Sequence, residues 1–152
     1  MLKLNIKMKK VRDNEFNFIE MESSHFPLLK EFWENTDGIK LTIGDTESEL
    51  SNYHKRNKGM SFICMNGADL IGTILCGHDG RRGFIYHLAV HKDFRNDNIA
   101  ADLIEMSLDQ LRAADIKRCM IMTDEINESG KSFWLKMDWR KRDDLKMFSI
   151  DL

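Results

Sequence analysis

The sequence predicts an α/β fold: a mixed, mostly antiparallel central sheet flanked by helices, in a three-layer sandwich. Three observations predict it. Asn66-Gly67 separates the apolar runs MSFICM (60–65) and ADLIGTILCG (68–77), the strongest short hairpin signal. GHDGRRG (77–83) makes a second, wider turn into FIYHLAV (84–90), so three successive strands run antiparallel. FIYHLAV, the helical pattern after it and the apolar run RCMIMT (118–123) form a βαβ unit, which adds a parallel strand.

The remaining elements follow in chain order. Residues 1–15 are polar and read as an extension or the lead-in to a first strand. FNFIEME (16–22) alternates with the period of a strand. Ser23 or Ser24 can cap a helix with Pro27 in its first turn and Phe26, Leu29, Phe32 and Trp33 on one face. Thr36-Asp37-Gly38 ends it. Thr46 and Glu49 form a capping box for a second helix running to about Asn57. The long helix of the βαβ unit covers 98–114, with Ile99, Leu103, Met106, Leu108 and Leu111 on or near one face. RCMIMT, being continuously apolar, reads as buried on both faces. A last helix spans about Asn127 to Met137, and the tail from Trp139 to Leu152 reads as one or two final strands.

Composition narrows the function classes. The chain of 152 residues suits one domain with a sizeable core, and the whole length reads as such. A net charge of −2 at pH 7 gives no basic excess for nucleic acid or an anionic membrane. The short clusters Lys9-Lys10, Arg81-Arg82 and Arg140-Lys141-Arg142 read as solvated surface. Cys64, Cys76 and Cys119 lie in apolar runs without CxxC or Cys/His metal spacing, so reduced thiols, no metal and a cytoplasmic setting are expected. MLKLNIKMKK lacks the apolar stretch of a secretion signal, and no run is long enough to span a bilayer.

The stretch HKDFRNDNIAADL (91–103) joins a strand to a helix. Backbone amides at such a junction can hold a phosphate, and glycine usually lets the chain turn there. Here the turn carries Asn96 and Asn98.

LAVHKDFRNDNIAADL and FWLKMDW together resemble the GNAT superfamily of acyl-CoA N-acyltransferases over roughly residues 16–150. The first is similar to that family's LAV strand followed by R-x-x-G-x-G/A and a helix, the second to its last helix-to-strand segment. GHDGRRGFIYHLAV resembles a bacterial subgroup of that family. The resemblance implies acetyl-CoA as acyl donor and no metal. It places the CoA pyrophosphate on Arg95, Asn96, Asp97, Asn98, Ile99 and Ala100, and the pantetheine beside the backbone of Leu88 and Val90, with a small Ala89 at a bulge. It sets Asn127 and its helix beside the pantetheine arm. Asp97 is expected to point to solvent.

Four departures from the family pattern share one chemistry. Where glycine is usual, this chain has Asn96, Asn98, Asp115 and Asp138. Asn and Asp are the residues after glycine that best tolerate the left-handed region, so the backbone path can survive. A further departure is Trp134, where many members have a tyrosine that protonates the leaving thiolate. An indole cannot act as that acid, which makes Trp134 a packing or thioester contact.

Catalytic candidates lie on the 77–91 hairpin. Tyr86 and His87 are neighbours on one strand and should face opposite sides, with Tyr86 toward the acceptor. His87 is either a base or a core histidine. Asp79 either holds an ammonium group or makes its turn with Gly80. The expected activity is acetyl transfer from acetyl-CoA to a primary amine, on a small molecule, peptide or protein. The alternative is a catalytically weak or inactive GNAT-fold protein acting as an acyl-CoA sensor or interaction module. A homodimer is compatible with either.

Overall fold

The computed structural model describes residues 7–11 and 14–152. Its elements are β1 (Lys7–Val11), β2 (Asn14–Glu20), a 3-10 turn (Ser23–His25), α1 (Phe26–Glu34), α2 (Glu47–Arg56), β3 (Phe62–Asn66), β4 (Asp69–His78), β5 (Gly83–Val90), a 3-10 turn (Lys92–Phe94), α3 (Ile99–Ala113), β6 (Cys119–Ile121) and α4 (Glu128–Lys136). The six strands lie side by side in chain order. Neighbours from β1 to β5 are antiparallel, and β6 joins β5 in parallel. The mixed sheet is therefore as the sequence predicts, with β1 extending it by one strand. The residues group into two compact units, one ending at Met122 and one running Thr123–Leu152.

Alternation along β4 separates the layers of the first unit. A Cβ on Gly72 would stand 2.9 Å from Ile99 and 3.2 Å from Leu103, so this side of the sheet is pressed against α3. The next residue, Thr73, faces the other way and accepts a hydrogen bond from the Trp33 indole of α1 at 3.0 Å. Trp33 belongs to a core with Met21, Phe26, Leu29, Leu50, Ile63 and Leu75. On the opposite face Ile99, Leu103, Ile104 and Leu111 are buried. Side chains that alternate across one strand thus serve two separate cores.

Local signals explain most boundaries. Thr46 Oγ1 accepts the Glu49 amide and Glu49 reaches back to the Thr46 amide, the capping box read in the sequence. Gly67 takes φ +60 at the tip of the β3–β4 turn, as a tight hairpin requires. Neither Ser23 nor Ser24 caps α1. Glu22 and His25 satisfy each other's backbone around the 3-10 turn, and α1 continues from it with Pro27 in its first turn.

Two expectations fail. β6 is only three residues long and half-buried rather than buried on both faces, because it lies at the sheet edge with β5 on one side only. The tail forms no strand. Lys141 pairs with Asp143 and Arg142 with Asp144, and Leu145, Met147, Phe148 and Ile150 stand exposed. An alternating apolar pattern becomes a strand only where a neighbouring strand takes up its hydrogen bonds. In the second unit Trp134 packs on Trp139 with ring centres 4.6 Å apart.

Asp115, at φ +59, lets the chain leave α3, and Asp138, at φ +61, does the same after α4. Substitution of Asp115 should therefore rank by left-handed tolerance rather than by helix propensity. Asp115→Gly is expected to keep or raise the melting temperature. Asp115→Ala should lose about 1 kcal/mol, read by thermal or urea unfolding.

Candidate active site

The site begins with one extra residue in β5. The β4–β5 ladder pairs Gly72 with Val90 and Thr73 with Ala89, then resumes with Leu75 opposite Tyr86. Ile74 therefore faces both His87 and Leu88, which is a β-bulge. His87 carries the irregularity at φ +45, a conformation that few residues other than glycine adopt. The bulge centres on His87 and Leu88. Ala89, expected at a bulge, is instead back in register opposite Thr73 and buried.

The bulge overturns the expectation that Tyr86 and His87 face opposite sides. Tyr86 makes an edge contact with Tyr53 of α2 at 6.3 Å and stacks on Phe84 at 6.2 Å. The His87 ring lies 4.7 Å from Trp33 of α1, and its Nε2 is 2.6 Å from Asp45 Oδ1 in the α1–α2 loop. Both side chains thus address the α1–α2 side. Tyr86 remains 37% exposed, and partial burial raises its phenol above the usual range. The Tyr53 hydroxyl is buried without a hydrogen bond, and its phenol is pushed up by that burial.

Asp45 and His87 are fixed from several directions. The other Asp45 oxygen accepts the Thr42 amide at 2.8 Å. Thr73 Oγ1 donates to the His87 carbonyl at 2.8 Å while accepting from Trp33. The side chains of His87 and Asp45 are 16% and 12% exposed. A carboxylate only accepts, so the neutral ring carries its proton on Nε2 and keeps the Nδ1 lone pair.

Beside the bulge, β5 has an open edge. β6 pairs only with Gly83, Phe84 and Ile85, so among the described residues no strand continues that pairing from Tyr86 to Val90. Leu88 and Val90 are half-buried there, and the Arg95 guanidinium donates to the Val90 carbonyl at 3.3 Å. The chain then turns through Asn96 at φ +70 and Asn98 at φ +61. Asn98 precedes α3 without a side-chain cap on its first turn. The first-turn amides of Ile99, Ala100 and Ala101 therefore meet no capping side-chain oxygen of the kind that Thr46 supplies to the third amide of α2. The Ile99 side chain is committed to the core, which leaves only its backbone for a ligand. Asp97 is partly buried rather than fully solvated, because left-handed residues on both sides of it fold the turn tightly.

Other candidates fall elsewhere. Asp79 Oδ1 accepts the amides of Arg81 and Arg82, each at 2.8 Å, and these bonds hold its carboxyl below the usual range. It closes the turn before Gly83, four residues from His87 along a strand rising about 3.3 Å per residue. Asp79 is a turn-former and does not join the site. Asn127 caps α4 by accepting the Gly130 amide at 2.9 Å, and with Trp134 it belongs to the second unit. No cluster of metal-binding side chains occurs among the described residues.

Asp45, Thr73 and Trp33 complete the His87 environment, and the sequence reading names none of them as site residues. Asp45 lies 42 positions before His87 and carries no motif of its own. The clue available was negative: a loop aspartate directly before a capping box, with no capping role left for it.

The cysteines differ in reactivity. Burial pushes the Cys64 thiol up to about 12. Cys76 is raised by its hydrogen bond to Cys119, and the same bond lowers Cys119. At pH 8, iodoacetamide should modify half-buried Cys119 before Cys64 or Cys76, as read by peptide mass spectrometry.

Comparison with known proteins gives the site its context. Residues 24–139 match the family model described as acetyltransferase (GNAT) family. The chain is 25% identical over 126 residues to an acetyltransferase of Yersinia enterocolitica, covering 83% of this chain and 89% of that one. Among solved structures, an acetyltransferase from Streptococcus agalactiae superposes with a TM-score of 0.70 at 19% identity, covering 90% of this chain and 92% of that one. An aminoglycoside N-acetyltransferase in complex with CoA gives a TM-score of 0.68 at 14% identity, covering 95% of this chain and 100% of that one.

Proposed function

This chain belongs to the GNAT acetyltransferase family, and from that premise we propose that it transfers an acetyl group from acetyl-CoA to a primary amine. The observation that carries the donor assignment is the open β5 edge running into an uncapped helix start. An edge of free backbone groups can take up an extended amide chain as an added strand. Pantetheine is such a chain, and its two amides would pair with the backbone of Leu88 and Val90. The pyrophosphate would then lie on the turn from Arg95 to Ala100, where amides and the positive end of the α3 dipole favour an anion. Asp97 opposes this charge, and Arg95 offsets it by leaving Val90.

The reaction needs a neutral amine. His87 Nδ1 takes one proton from the acceptor ammonium, and the nitrogen then attacks the thioester carbonyl. Backbone amides at Leu88–Val90 stabilise the charge that develops on oxygen. The N–C bond forms, the C–S bond breaks, and the thiolate leaves with the second nitrogen proton. Tyr86, with Tyr53 and Phe84, forms an aromatic wall beside His87 for the acceptor. Small-molecule, peptide and protein amines all satisfy this chemistry.

Calorimetric titration with acetyl-CoA tests the donor half. The protein should bind with micromolar affinity, about −8 kcal/mol, and Asn98→Gly should bind at least as tightly. Binding by Asn98→Gly alone would favour a sensor or interaction module whose CoA site has decayed. Binding by neither would overturn the proposal.

A further inference from the structure

We infer that Asp45 is a positioning residue for acyl transfer: with His87 it forms a carboxylate–imidazole dyad that aims Nδ1 at the acceptor amine. This inference rests on the acetyltransferase reading and deepens it. The bond is short, 2.6 Å between Nε2 and Oδ1, and both side chains are largely removed from solvent. A bond in such surroundings fixes both the tautomer and the plane of the ring. The ring is also held by Trp33 at 4.7 Å, and its backbone by Thr73.

The backbone supplies an independent argument. His87 is the one described residue other than glycine, Asn or Asp with positive φ. An ordinary core histidine does not need such a strained conformation. Without the bulge, strand alternation would turn His87 away from α1 and from Asp45. The bulge that strains His87 also brings it to Asp45, on the face that Tyr86 shares. Asp45 is built for the same meeting. Its second oxygen anchors the loop through Thr42, and it lies directly before the Thr46 cap of α2.

The proton accounting is simple. The acceptor ammonium gives one proton to Nδ1, making an imidazolium whose Nε2–H remains bonded to the Asp45 carboxylate. Nitrogen attacks carbon, sulfur leaves, and the second nitrogen proton ends on the CoA thiol. The imidazolium returns its proton to water. Asp45 exchanges no proton; it stabilises the charged ring and holds its direction.

The test compares wild type, Asp45→Asn and Asp45→Glu with acetyl-CoA and a panel of primary amines: lysine, an alanine-terminated peptide and an aminoglycoside. Thiol release gives the rates, and long-range 15N–1H NMR gives the His87 tautomer. Wild type should show a single neutral tautomer protonated on Nε2. Asp45→Asn should lose about a hundredfold in kcat with KM for acetyl-CoA unchanged, and show mixed tautomers. Asp45→Glu should recover part of kcat. An active wild type with kcat equal in Asp45→Asn overturns the dyad and leaves the acetyltransferase reading standing. A wild type that releases no thiol with any amine, while its tautomer stays fixed, overturns the acyl-transfer reading and the dyad's role with it.

Discussion

A β-strand shows alternate side chains to alternate faces, and a single unpaired residue reverses that order for everything beyond it. In this protein the extra residue lies in β5, opposite Ile74. Its effects reach every part of the site. It brings Tyr86 and His87 to the same side of the sheet, beneath the loop between α1 and α2. It forces His87 into a left-handed backbone, and it lies within the stretch of β5 that, among the described residues, no strand pairs on the side away from β4. Acceptor side and donor side of the proposed reaction meet at this one irregularity.

The surrounding packing holds the bulge in place. Thr73 bonds to the His87 carbonyl on one side and the Trp33 indole on the other, deep between sheet and α1. Each of these polar groups is buried and would be costly to leave unmatched. The core of α1 and α2 therefore stabilises the strained residue through hydrogen bonds as well as through contact. On the opposite face Gly72 leaves room for Ile99 and Leu103, which brings α3 close to β4. The start of α3 is thereby set near the end of β5, joined to it by the 3-10 turn Lys92–Phe94 and the Asn96–Asn98 turn.

Local chemistry was legible in the sequence; long-range pairing was not. Asn66-Gly67, the Thr46–Glu49 box and Pro27 each act within a few residues, and each does what its chemistry dictates. Asn96, Asn98, Asp115 and Asp138 all adopt positive φ, as their place beside glycine in left-handed tolerance implies. The bulge leaves no mark in FIYHLAV, because a register shift depends on the partner strand. Simple alternation therefore puts His87 on the wrong face, and no local motif marks Asp45. Asp79 illustrates the reverse case, a carboxylate near the expected site whose own turn consumes it. The tail failed for a related reason, since its alternating pattern finds no neighbouring strand.

In the proposed reaction the open β5 edge and the Asx turn form one continuous donor site beside the bulge. Backbone amide NMR during titration with acetyl-CoA tests it most directly. The largest shifts are expected at Leu88, Val90 and Asn96–Ala100, with smaller ones at His87. Saturable shifts confined to other parts of the sheet, with these amides unmoved, would contradict it.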